Sequence, residues 1–351
     1  MNYLENRTEK IKTLHDIYSE GKEIPEDIKR LLEISEVKRL DGIDQNGGAE
    51  RSGFKTFNYK YSTLDHSLGV ALILNNFVSN KKQIIAALLH DMDEPAFSYS
   101  TKQVDNKNYD KKEANPLTVF EAIVGSDKLF DYLTDNNFSI EDMCDYTRYP
   151  IAYNVVPYLC AHTLEYFLHT MFLNNMCSEE EIVEMYDDLL IVPNEENVPE
   201  FCFNTPEIGK KFCLLGIECG ELYRSYEAKA AMRFIADTLG AMLRREVISR
   251  KDLYTYSDKV IMEIGLGCND KRISDRWRYL PELKKVYTKF NEQEDKKCNK
   301  VVSNLTYTDV LIRKKNGDVA RVSKEFKECK DAISTFLNSD TDLYFYIDYE
   351  D

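Results

Sequence analysis

Residues Ile84 to Ser100 read IIAALLHDMDEPAFSYS. The run Ile84, Ile85, Ala87, Leu88 and Leu89 is apolar on most faces, so the spacing predicts a buried helix. It ends in His90-Asp91, two metal-binding side chains side by side. Glu94 follows three residues later, and Pro95 halts the helix. Carboxylates at a helix C-terminus oppose its dipole and prefer water, unless a cation is bound. Adjacent helical residues point about 100° apart, so His90 and Asp91 can share an ion only near a helix end. The rest of the chain must supply the other ligands.

Histidine is scarce: the five are His15, His66, His90, His162 and His169. Ser62 to Asp65 has the spacing of a capping box with Asp in place of Glu, and it places His66 in the first turn of a second apolar helix. A lone histidine there is ordinarily a surface or cap residue. In the run 159–169, Leu159, His162, Tyr166 and His169 recur at three and four and share one helical face. For either histidine of that run the bland role is a buried ring bonded to a carbonyl. The stretch 101–115 carries Lys102, Lys107, Lys111 and Lys112. A solvated loop is its default, and a lid bringing ammonium groups to phosphate is the sharper alternative.

Bulk properties set the frame. The chain has 351 residues, 43% hydrophobic and 30% charged, as in a soluble globular protein. No cationic leader with an apolar core and no apolar run near twenty residues is present, so neither a signal peptide nor a membrane span is expected. Nine cysteines without a CxxC pair fit a reducing cytoplasm. A net charge of −15 argues against general binding to a nucleic-acid backbone. Helical patterns fill most of residues 1–290, with two long helices near 205–226 and 227–248. From 304 onward the pattern alternates, and Lys315-Asn-Gly317 is a hairpin signal. The expected fold is mostly α: a helical domain over 1–290 with a metal core at about 62–170, and a small β-rich tail over 291–351.

Combined, His66 and His90-Asp91 resemble the HD-domain metal-dependent phosphohydrolases. Leu88-Leu-His-Asp-Met-Asp-Glu-Pro-Ala-Phe-Ser98 looks like the LLHD-x-G-H-x-P-F-S-H stretch of the deoxynucleoside triphosphate triphosphohydrolases (the dGTPase-like branch) within that superfamily. Asp65-His-Ser-Leu-Gly-Val70 matches their E-H-S-L-G-V. Lys38-Arg-Leu-Asp-Gly-Ile-Asp-Gln45 with Gly47-Gly48 is similar to their Q-R-L-R-x-I-x-Q-L-G-G. Ala320-Arg-Val-Ser323 after Gly317 looks like their C-terminal G-x-x-x-R-x-S segment. The resemblance covers roughly residues 20–345 and implies an HD-domain helical fold.

Carried over by residue, it places His66, His90 and Asp91 on three metal-ligand positions. His162 stands where the family has a ligating aspartate. Imidazole at that position suits Mn, Fe, Ni or Zn, and Mg less. Gln45, Arg39 and Tyr166 are kept as substrate-binding positions, and Lys112 falls beside Glu113 where the family has an H-E pair. Other positions depart: Glu94 and Tyr99 replace histidines, Thr63 and His169 replace arginines, and Thr170 replaces an aspartate. His90-Asp91-Met-Asp-Glu94 also resembles the HD-x-x-E pattern of HD-type 5′-deoxynucleotidases, which makes Glu94 the candidate general base beside Asp91.

Three functions follow. The first is a metal-dependent phosphohydrolase acting on a nucleotide or a related small phosphate ester, assembled by resemblance as a homo-oligomer. The second is a catalytically altered nucleotide-binding or regulatory module. The third, an HD-fold di-iron oxygenase, needs about two more histidines near the HD pair, and His169 alone is not enough.

Overall fold

A computed structural model of the chain describes residues 3–104, 116–289, 299, 301, 305–339, 344–347 and 349. At its centre is the helix Thr63–Phe77, whose residues Thr63 to Leu74 are all buried. The capping box forms as the sequence predicts. Ser62 Oγ accepts from Asp65 N, and Asp65 Oδ2 accepts from Ser62 N at 3.0 Å. Asp65 also accepts from Tyr3 Oη and Arg7 Nε, both at 2.7 Å, so this cap ties down the start of the chain.

Three helices surround the central one: Glu9–Ser19, Lys81–Leu89 and Ala161–Leu173. The last approaches closely because Gly69 lacks a side chain. A Cβ there would lie 2.8 Å from Glu165 Cγ. One large apolar core fills the space between these helices, and it includes Leu68, Leu72, Leu88, Leu164 and Phe167. A second core, around Trp277, belongs to the later helices, among them Tyr226–Arg244, Asp258–Gly267 and Lys271–Tyr279.

The segment after His90-Asp91 bridges the two cores. Phe97 stacks on Trp277 with ring centroids 5.3 Å apart. Its backbone N–H donates to Asp258 Oδ1 at 2.6 Å, and Asp44 N–H donates to Asp258 Oδ2 at 2.9 Å. Phe97 and Ser98 adopt left-handed backbone angles, with φ of 59° and 35°.

The strands are β1 (Leu189–Pro193), β2 (Pro199–Phe203), β3 (Val286–Lys289), β4 (Leu311–Arg313), β5 (Val319–Arg321) and β6 (Tyr344–Ile347). One sheet has the order β1-β2-β4-β5, and β3 pairs with β6 in a second. The hairpin at Gly317 forms where its turn chemistry places it, but β4 is shorter than the alternation over 307–312 suggests. The β1–β2 hairpin has no forecast beyond its turn at 192–199. The tail strands are thus built onto strands of the helical body, β4 running parallel to β2. Arg321 fastens this junction. Its guanidinium donates to both carboxylate oxygens of Glu200, at 2.6 and 2.9 Å, and Glu200 is fully buried.

Two predictions follow from these anchors. Arg321→Ala leaves the Glu200 charge buried with its guanidinium gone, and should lower stability by about 3–5 kcal/mol in denaturant unfolding. The double change Arg321→Met with Glu200→Leu should recover only part of that loss, because Glu200 also accepts from Leu159 N and Asn194 Nδ2, both at 3.0 Å. Burial, reinforced by the Asp44 charge, pushes the Asp258 carboxyl up to about 8. Its folded pKa is raised, so its contribution is fully present below the unfolded value of about 4 and is lost as pH rises through 8. Asp258→Asn should flatten the fall in unfolding free energy across that window.

Candidate metal centre

Each histidine of the site is placed by an ordinary local feature. His66 lies in the first turn of the central helix, just after its cap. His90 is the C-cap of Lys81–Leu89, so the helix ends where a shared ion requires it to. His162 lies in the first turn of Ala161–Leu173. One ring nitrogen from each of His66, His90 and His162 falls within 4.8 Å of the others. Asp91 joins them, with Oδ2 3.2 Å from His90 Nε2 and 3.4 Å from Ser67 Oγ.

The outer nitrogens show which way the rings face. His66 Nδ1 bonds Glu165 Oε2, and His90 Nδ1 donates to the Ala87 carbonyl at 2.6 Å. Nε2 of both rings is buried without a hydrogen bond from the protein, although Asp91 Oδ2 lies close to that of His90. Buried ring nitrogens this close together could hold a divalent cation, which would offset the desolvation cost of leaving them bare. Burial lowers the affinity of His90 and His162 for a proton. Neutral imidazole is the form a metal requires.

Glu165 was not foreseen in the sequence, although it is the lone carboxylate of Ala161–Leu173. Fully buried, it accepts from Tyr61 Oη at 2.7 Å, from His169 Nδ1 at 3.1 Å and from His66. Burial alone would raise its pKa, but His169 and His66 hold it below the usual carboxylate range. The pairing in turn raises the pKa of His66 against its own burial. His66, Glu165 and His169 form a second cluster of potential ligand atoms that shares His66 with the first. The Glu165–His66 contact is the carboxylate–histidine pairing that orients metal-bound rings elsewhere.

Aromatic rings wall the site. Tyr146 lies 4.6 Å from His90 and Tyr153 lies 5.6 Å from His162, centroid to centroid. Neither was singled out in the sequence, because both sit in an irregular segment. Tyr166 stacks parallel to His162 at 6.3 Å and meets His66 edge-on at 6.0 Å.

The remaining candidates are less uniform. Gln45 is buried, and its backbone N–H donates to the Tyr61 carbonyl at 2.9 Å. Arg39 donates from Nη2 to the carbonyls of Met92 and Glu94 at 3.2 and 2.8 Å, bracing the loop after Asp91, while its Nη1 is buried without a protein partner. Glu94 pairs with Lys102 and accepts from Ser98 Oγ at 2.9 Å. Arg51 pairs with Asp44. Lys112, with Lys107 and Lys111, lies outside the described residues. No described helix is long and apolar enough to cross a membrane.

No family model matches the sequence. The uncharacterized protein YdhJ of Bacillus subtilis is 25% identical over 261 residues, 70% of this chain and 73% of its own. The metal-dependent phosphohydrolase cns2 of Cordyceps militaris is 24% identical over 180 residues, 51% of this chain. The match spans 50% of that fungal protein's length. Among solved structures, a phosphohydrolase from Bacteroides thetaiotaomicron superposes with a TM-score of 0.68 at 12% identity, covering 93% of this chain and 96% of that one. A hypothetical protein from Aquifex aeolicus gives 0.63 at 14% identity, covering 93% of both. The chain therefore has the helical fold of a known phosphohydrolase and carries within it a histidine cluster that could hold a metal ion.

Glu165→Gln should weaken binding of Mn or Zn about 10–100-fold. Competition against a chromophoric chelator measures this. Unchanged affinity would mean that His66 holds its orientation without the carboxylate.

Proposed function

We propose that the protein is a metal-dependent phosphohydrolase acting on a nucleotide or a related small phosphate ester. The observation that carries this reading is the buried cluster of ring nitrogens from His66, His90 and His162, with Asp91 beside His90, in a fold shared with a phosphohydrolase. His66, His90, Asp91 and His162 would hold the ion. Three imidazoles and one carboxylate favour Mn, Fe, Ni or Zn over Mg. A divalent ion bound there supplies a Lewis acid and acidifies water for attack on phosphorus.

The chain's own groups do the rest. Glu94 is the candidate proton acceptor, with Lys102 and Ser98 fixing its carboxylate. Arg39 braces the loop that carries Asp91 and Glu94 and keeps Nη1 for an anion. Tyr166 packs against the ligand rings and would bound the substrate. Gln45 and Lys112 complete the proposed substrate contacts. Nucleotidase and triphosphohydrolase-like (dGTPase-branch) activity are both within this proposal, as are a cytoplasmic location and a homo-oligomer.

One observation favours the second reading, a nucleotide-binding module without turnover: the Glu94 carboxylate is already engaged by Lys102. The two separate on one experiment. Purified protein is assayed for metal, then for phosphate release from nucleoside mono-, di- and triphosphates. Near-stoichiometric metal with release from one class supports the enzyme, and Glu94→Gln should then keep the metal and lose about 10²–10⁴ in turnover. Bound metal with no release from any ester supports the module. No metal after reconstitution with Mn, Fe, Ni and Zn overturns both.

A further inference from the structure

The first helical segments of the chain form a cavity that the metal centre does not use. Its volume is about 970 Å³, and it lies between the 3-10 turn Tyr3–Asn6 and the helices Glu9–Ser19 and Glu26–Leu32. Leu4, Ile24 and Leu32 give it apolar walls. His15 lines it too, although only 1% of that residue is exposed. One nitrogen of the His15 ring is engaged. Nε2 lies 3.1 Å from the Asp65 carbonyl, and a carbonyl can only accept, so Nε2 carries the ring proton. Nδ1 is therefore a lone pair, buried and without a hydrogen bond from the protein. Burial lowers the pKa of the ring and so keeps this acceptor in place at neutral pH. An unmet buried acceptor is costly, and a donor on a ligand in the cavity would meet it.

The charges of the lining point to the same kind of ligand. Its three ammonium groups already face carboxylates of this chain: Lys12 pairs with Glu9, Lys22 with Glu20 and Lys29 with Glu23. Glu33 is paired with Lys38. Glu5 and Asp16 also line the cavity and have no ion pair among the described residues. Both are exposed, so they stand at its rim while His15 stands at its floor. An anion entering here would have to displace a lysine from its partner and then face two uncompensated carboxylates. A cation meets those carboxylates directly.

We propose that this cavity binds an organic ammonium compound carrying a second hydrogen-bond donor, with its cationic end at Glu5 and Asp16 and its donor on His15 Nδ1. An apolar chain between the two groups would pack on Leu4, Ile24 and Leu32. The His15 ring accepts equally from an amine or a hydroxyl, so diamines and amino alcohols share the required chemistry.

The experiment is calorimetric titration of the full chain with diamines and amino alcohols of about four to six carbons, against the matching monoamines and diols. The expected result is binding of at least one diamine or amino alcohol, about ten-fold or more tighter than the monoamine and the diol of equal length. Which of the two classes binds identifies the donor. Glu5→Gln combined with Asp16→Asn should weaken binding about ten-fold, and Thr13→Trp, which places an indole in the cavity, should abolish it. All three positions are exposed or half-buried, so the melting temperature should hold. Asp318→Asn, which removes an exposed carboxylate on the Gly317 hairpin, should leave binding unchanged. No binding of any member, or monoamine binding of equal strength, overturns the site. Equal weakening by Asp318→Asn also overturns it, since that is attraction to a chain of net charge −15 and nothing more. Binding of a nucleoside triphosphate that Thr13→Trp removes does the same, because the cavity then takes an anion. Should Thr13→Trp not fold, the contrast between the Glu5–Asp16 double variant and Asp318→Asn decides.

Discussion

One buried charge organises the molecule. Glu165 is fully enclosed, and a carboxylate in that position is tolerable only when its oxygens are met by donors. Three side chains meet it, from His66, His169 and Tyr61. The consequence runs outward. Because Glu165 takes Nδ1 of His66, Nε2 faces the other imidazoles, and because Gly69 has no side chain, the two helices come close enough for this to happen. The ligand geometry is therefore a by-product of solving a solvation problem inside the core.

The ends of the chain are tied into the same arrangement. Arg7 and Tyr3 bond Asp65, the residue before His66, and His15 Nε2 donates to the Asp65 carbonyl at 3.1 Å. At the other end Arg321 grips Glu200, whose Oε1 also accepts the Leu159 backbone N–H at 3.0 Å, just before the His162 helix. Each terminus thus bears on a ligand-carrying helix through a buried charge. Such groups are poor sources of net stability, but they penalise alternative packings heavily.

Much of the site was legible in the sequence because its chemistry lies in residue type and spacing. His66, His90, Asp91 and His162 stand at helix starts or ends, where the cap residues, the apolar run and the helical face announce them. Glu165 was in plain view, but its role depends on clearance at Gly69, which no periodicity reports. Tyr146 and Tyr153 come from an irregular stretch whose course is set by tertiary packing. The helical body and the Gly317 hairpin were readable from pattern and turn chemistry. The β1–β2 hairpin was not, since β2 is held on its other edge by β4, more than a hundred residues away, and such context overrides local propensity. Arg39 shows the remaining gap: a residue placed at a substrate position by resemblance donates from one nitrogen to two loop carbonyls.

The Arg321–Glu200 contact spans 121 positions of the chain, and this bears on the order of synthesis. A chain leaving the ribosome has made all three histidines long before residue 321 emerges. Until then Glu200 lacks its guanidinium, and the backbone that leads into the His162 helix is held by a carboxylate with no countercharge from Arg321. The pairing that supports the entry to the His162 helix therefore waits on a residue made long after the histidines themselves.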